Sequence, residues 1–347
     1  MTIVQRARPA AIATATAVPL AVVLAPALVL AHGPDSLIPP KPSDFLLDWG
    51  FEPLVVIPLL LVGAAYLWAV RHVDEAHPGN PVPRARVVCF LAGLVVIAIA
   101  LQSIVARYDT TLFSDHMLQH VLLTLIATPL LALGAPITLL LRVTRPEPRR
   151  RVILPILHSR IIRVLAFPVV SWVLFAAVMW GTHFSSLFEL SLENPFVHDL
   201  EHLLYLTAGL LFWWPAVGLD PAPWRMPHPV RVMYLFLQMP QNTFLALAIY
   251  SASAPLYPHY ANLRLDWIPD ALSDQRLAGG LMWIIGDLVF VTAMVLVVAG
   301  WMRFEERDTD RREAHADAQL AAIHAREVVL AERIARERAA GEEPIAK

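Results

Sequence analysis

Apolar residues recur along the chain in blocks of about 20, the length a helix needs to cross bilayer hydrocarbon, and clusters of Pro, Arg and Asp separate them. Seven spans are predicted, over residues 53–70, 87–106, 116–141, 164–180, 198–217, 232–251 and 277–301. Blocks of this length point to helices and not to the short alternating strands of a barrel. An earlier apolar block, residues 10–30, follows Arg6 and Arg8 and ends in Val29-Leu30-Ala31. It is expected to be a signal peptide cleaved after Ala31, the alternative being an uncleaved span. Cleavage would leave an α-amino group beside the His32 imidazole, a pair able to chelate copper.

After residue 302 the pattern changes to an Ala-, Glu- and Arg-rich run with Leu320, Ile323, Leu330 and Ile334 at helical spacing, the mark of a solvated helix. The expected fold class is therefore an all-α integral membrane protein, a bundle of seven transmembrane helices after an N-terminal signal segment, with a charged helical tail. Its domains would be residues 1–31 (signal), 32–52 (outer segment), 53–302 (membrane domain) and 303–347 (tail).

Basic residues orient the bundle. Arg71, Arg84 and Arg86 follow the first span, a run from Arg142 to Arg163 follows the third, and Arg225 and Arg231 follow the fifth. The other loops hold few, namely Arg107, Arg264 and Arg276. The mature N-terminus is thus expected outside and the tail in the cytoplasm.

Composition agrees: 57% of residues are hydrophobic, 16% are charged and mean hydropathy is +0.56. A formal net charge of −2 gives no reason to expect a nucleic-acid partner. The single cysteine, Cys89, excludes an internal disulfide and any Cys-pair metal motif. No nucleophile elbow, phosphate loop or His-Glu-x-x-His supports hydrolytic or nucleotide chemistry, so no enzymatic activity is expected.

The chemistry lies in histidines. His116 and His120 stand at i and i+4 in DHMLQHVLL, and His198 and His202 repeat that spacing in NPFVHDLEHLLYL, so each pair shares one helix face. Both pairs begin helices at the expected outer side, where His183 and His259 also fall. One such pair can simply snorkel or cap; two on one side point to a metal or haem site. Met117, Met179 and Met282 lie near the same ends and would favour Cu(I), although Met is more often a core filler. Asp115, Asp199 and Glu201 adjoin the histidines and are expected to orient imidazoles or to complement helix dipoles. Deeper polar residues are Gln238 and Asn242, flanking Pro240, and Asp287, each expected to be paired or functional. FWWP, residues 212–215, reads as an interfacial aromatic belt.

DHMLQHVLL followed by P-x-x-x-x-G-A-P, then HDLEHLLYLTAGLLFWWP, then ALSDQRLAGGLMWIIGD, in this order, resemble the multi-spanning CtaG family of cytochrome c oxidase assembly proteins over residues 49–301. The resemblance implies a seven-helix protein of the bacterial cytoplasmic membrane that assembles a haem-copper terminal oxidase, with its subunits and the lipid bilayer as partners. Copper is the implied metal, and b-type haem or a metal-free scaffold the alternatives. His116, His120, His198 and His202 are the implied metal ligands, with His183, His259, Met117 and Met282 as accessory candidates. Asp274, Gln275, Gly279, Gly280 and Trp283 form a third motif of architectural character, in which both glycines would permit close helix approach and Asp274 would cap the seventh span.

Overall fold

A computed structural model describes residues 38–41, 43–44, 49–263 and 265–341, and every regular element among them is helical. The expected signal segment, His32 and Arg264 lie outside the described residues. The elements used below are α1 (Pro53–Ala76), α2 (Arg84–Gln102), α3 (Ile104–Tyr108), α4 (Phe113–Val121), α5 (Thr128–Leu133), α6 (Pro136–Val143), α7 (Pro168–His183), α8 (Ser186–Glu193), α9 (Pro195–Val217), α10 (His228–Tyr250), α11 (Pro258–Asn262) and α12 (Ala271–Gly341). The chain divides into two compact units, residues 1–294 and 295–347. The charged tail is helical, and the helix assigned to Ala271–Gly341 covers both it and the last apolar block.

Five stretches are long and apolar enough to cross a membrane: Pro53–Ala76, Arg84–Tyr108, Phe113–Val143, His228–Tyr250 and Ala271–Arg336. A sixth arises if α7 and α8, bent by 67° at Phe184–Ser185, count as one broken span. The expected fifth span forms as α9, 23 residues long, but it does not reach that apolar standard. His198, Asp199, Glu201 and His202 occupy its first two turns and dilute it. Length and composition thus support five or six spans, where the hydrophobic blocks predict seven.

The stretch Phe113–Val143 is central. Its α5 packs against α2 on one side and α9 on the other, and half of its most apolar window is buried. It is not the uninterrupted helix that its hydropathy suggests. Pro129 has no N–H to offer the preceding turn, and Leu122–Ala127 relaxes into a π-helical turn, a departure found often at functional sites. The Thr124 hydroxyl donates to the His120 carbonyl (2.5 Å), and Thr128 donates to the carbonyl of Thr124. A second break follows at Gly134-Ala135, where Ala135 takes a left-handed conformation with φ 49°. Asp220 caps the helix beyond it, accepting from the Ile137 and Thr138 amides and from the Thr138 hydroxyl.

Missing Cβ atoms permit these close contacts. A Cβ at Gly93 of α2 would stand 2.9 Å from Leu131, and one at Gly209 of α9 would stand 2.9 Å from Thr128. The FWWP motif joins this core and is no interfacial belt. Phe212 and Trp213 are fully buried, Trp213 donates to the Thr124 carbonyl (3.1 Å), and Phe212 stacks on Tyr234. Aromatic residues at a span end satisfy either role, and packing against the π-turn decides it here.

The third motif separates likewise. Gly279 faces α10, where a Cβ would meet the Ala246 carbonyl and the Tyr250 amide at 3.0 Å, whereas nothing lies within 4 Å at Gly280. The expectation that both glycines permit close approach therefore holds for Gly279 alone. Gln275 bridges the Ile249 carbonyl and the Leu256 amide, and Trp283 donates to Asp287. Gly279→Ala is expected to destabilise the purified, detergent-solubilised protein by about 1–3 kcal/mol through overpacking, while Gly280→Ala stays within about 0.5 kcal/mol. Thermal unfolding of the two variants side by side checks the ranking.

Candidate metal centre

Helix α4 begins where Asp274, from α12, accepts from the Phe113 (2.6 Å) and Ser114 (3.3 Å) amides. Capping the His helix, and not its own, is the role the structure gives Asp274. Helix α9 begins at Asn194, whose side chain accepts from the Phe196 and Val197 amides. Each cap fixes the rotation of a helix whose next turns carry a His pair. Facing surfaces of the two helices then bring all four imidazoles together: the His116 ring lies 4.2 Å from His120 and 5.2 Å from His198, and His198 lies 4.3 Å from His202. His116 is 0% exposed and His202, the most open of the four, 9%.

Two carboxylates complete the arrangement. Glu201 Oε2 stands 3.8 Å from His116 Nε2 and 3.9 Å from His120 Nε2, and Asp109 Oδ2 stands 3.8 Å from His198 Nε2. Two triads result, His116–His120–Glu201 and Asp109–His198–His202, and within each the potential ligand atoms lie within 4.8 Å of one another. They are reciprocal. In each, one helix supplies a His pair and the chain on the other side supplies the carboxylate.

Such separations exceed hydrogen-bond reach. Donor atoms sharing one ion at about 2.0–2.2 Å stand about 3–4 Å apart, which matches. Both ring nitrogens of His116 and of His120 and both Glu201 oxygens are buried without a hydrogen-bond partner among the described residues. Buried polar atoms are otherwise nearly always paired, so the donor set fits a cation. A bis-imidazole haem fits poorly, since the paired rings of the facing helices, 5.2 and 6.2 Å apart, leave no slot for a porphyrin between them.

Other candidates take separate places. Met117 and His183 meet beside the triads, with Sδ 3.3 Å from Nε2, and Met282 lines the same cavity. His259 is held away from them by the Thr110 carbonyl and Glu189, so it leaves the metal set. Asp115 and Asp199 belong to neither triad. Glu201 faces the His pair of the opposite helix, 3.8 Å from His116 Nε2 and 3.9 Å from His120 Nε2. Asn242 donates to the Met282 carbonyl, Gln238 pairs with Gln241, and Asp287 accepts from Thr243 and Trp283, which gives the deep polar residues structural partners.

Three residues were not singled out by spacing. Asp109 sits in the turn joining α3 to α4, with no pattern to mark it. Tyr205 stacks on His120 at 4.0 Å; its place three residues after His202, on the same face, is a usable signal. Gln119 donates to the Ala100 carbonyl (3.0 Å), so its carbonyl oxygen accepts from His202 Nε2 (2.9 Å). That bond places the proton on Nε2.

The family described as cytochrome c oxidase caa3 assembly factor matches residues 64–304, most of the chain and all of both triads. The chain belongs to this family. Among its relatives are uncharacterised proteins of Mycobacterium bovis and Mycobacterium tuberculosis, each 31% identical over 290 residues, and one of Mycobacterium leprae, 29% identical over 291. Each alignment covers 82% of this chain and 44% of the relative, so the chain spans less than half the length of these curated relatives. No solved structure matches it.

Gln119→Leu removes the acceptor for His202 Nε2 and strands a buried donor. It is expected to destabilise the protein by about 1–3 kcal/mol, read as a lowered Tm.

Proposed function

We propose that this caa3 assembly factor carries copper as cargo, holding it in the paired triads before delivering it to an oxidase subunit. The observation that supports this is the burial of His116, His120 and Glu201 with their donor atoms converging and unpartnered by protein. Three protein donors leave coordination positions open, and a cargo ion needs such positions if an accepting site is to take it by ligand exchange. Two imidazoles and a carboxylate make a mixed nitrogen–oxygen set. It suits a divalent ion better than Cu(I), so the triads would receive Cu(II).

His116, His120 and Glu201 would hold the ion; Asp109, His198 and His202 would hold a second ion or receive the first. Gln119 fixes the His202 tautomer in either case. With basic loops inside, both triads lie toward the outer face of a bacterial cytoplasmic membrane, the mature N-terminus outside and the tail in the cytoplasm. Delivery to an oxidase subunit maturing on that face would require no passage of the ion through the bilayer.

Purified protein loaded with Cu(II) is expected to retain at least one equivalent after desalting, with imidazole nitrogen couplings in its electron paramagnetic resonance spectrum. Glu201→Gln should weaken retention by about tenfold or more. His120→Ala/His198→Ala should abolish it and lower the copper content of the oxidase in cells while the protein stays in the membrane. Full copper content of the oxidase with the double variant would favour a metal-free scaffold instead.

A further inference from the structure

Beside the triads, Met117, Met179, His183, Met282 and His120 line a small cavity of about 20 Å³. His183 is 3% exposed and Met117 1%. The hydrogen bonds around His183 settle its tautomer. Its Nδ1 lies 2.7 Å from the Met179 carbonyl, an atom that can only accept, so Nδ1 carries the proton. The Tyr205 hydroxyl, 3.2 Å from the same nitrogen, agrees. Thr182 donates to the Val178 carbonyl, so Tyr205 donates to Thr182 (2.5 Å) and turns an oxygen lone pair to His183.

With the proton on Nδ1, Nε2 of the neutral ring presents a bare lone pair. What it meets at 3.3 Å is the Met117 thioether sulfur, itself a lone-pair donor with no hydrogen to offer. Two lone pairs pointed at each other in a buried cavity repel unless a cation lies within reach of both. A thioether is a soft ligand that selects monovalent d10 ions and binds hard divalent ones poorly. Met282 and Met179 line the same cavity, and His120 gives it a ring shared with the first triad, 6.2 Å from His183 between centroids.

We propose that Met117 and His183, assisted by Met282, form a second and separate site for a soft monovalent cation, Cu(I) or its analogue Ag(I), adjoining the first triad through His120. The site stands on the Met117–His183 contact and needs no ion in the triads. His120 lines its cavity and belongs to the first triad, so the two sites adjoin. No electron transfer is required for a Cu(I) ion to occupy it.

The test uses the full chain purified in detergent in a Cys89→Ser background, so that the single free thiol takes no silver. Ag(I) probes the soft site by calorimetry and by metal content after desalting; Co(II), read by its visible bands, probes the triads. The expected result is one tightly held silver with sulfur in its coordination shell by X-ray absorption. Met117→Leu, close to the original in volume, should weaken silver binding about tenfold or more while leaving the Co(II) bands unchanged, and Glu201→Gln should do the reverse. Silver held equally by wild type, Met117→Leu and Met282→Leu would overturn the soft site, as would silver lost with Glu201→Gln or a wild type that holds none. Absence of Co(II) binding with silver retained would instead count against the triads alone.

Discussion

Four imidazoles and two carboxylates are packed against one another at the facing ends of α4 and α9, shielded from water, with nitrogen–oxygen separations too long for hydrogen bonds. In an apolar bundle each stranded polar atom costs about 1–3 kcal/mol, and an ionised carboxylate costs more unless a cation or proton balances it. A fold that gathers several such atoms gives up stability that must be recovered elsewhere. The recovery is visible around the site. Asp274 and Asn194 cap the two helices, Gln119 holds His202, and the Phe113, Phe188 and Tyr257 rings enclose the cluster.

The stretch Phe113–Val143 makes this possible because it gives up regularity. A straight 31-residue helix would set His116 and His120 by its ends alone. Around the π-turn at Leu122–Ala127, Thr124 and Thr128 instead bond to the carbonyls of His120 and Thr124, and the Thr124 carbonyl also accepts from Trp213 of α9. Glycines at 93 and 209 bring α2 and α9 close against the next turn. The backbone one turn below the histidines is thus fixed by hydrogen bonds and by contact on two sides. Rigid support of that kind holds several donors in one geometry, and membrane burial alone would not supply it.

Hydropathy made the helices legible, because a span must be apolar over about 20 residues whatever it packs against. It misjudged α9 in the other direction: the block is readable by eye, yet its four ionisable residues carry it below the composition of an ordinary span, and three of them, His198, Glu201 and His202, belong to the triads. The His pairs were legible from a spacing of four, which depends only on helix geometry. Their meeting was not, since which helices are neighbours depends on side-chain fit such as Gly209 against Thr128. Asp109 was invisible for a related reason. It sits in a turn, where no periodicity constrains which way a side chain faces, and only the path of the chain from α3 to α4 delivers it to His198. Glu201 shows the intermediate case, noticed from sequence as a neighbour of His202 but serving the opposite pair.

Donor softness then orders the neighbourhood. Carboxylate and imidazole oxygens and nitrogens occupy the triads, and thioether sulfur appears only past His120, in the cavity with Met117 and His183. An ion moving across that boundary changes its ligands gradually, because His120 belongs to both sides. Nitrogen is also the donor both copper oxidation states accept. A protein built to keep copper would surround it with one matched set and close the shell. Adjoining sets of different softness, each with fewer protein donors than a closed shell, are the arrangement that the proposed binding and release of an ion would use.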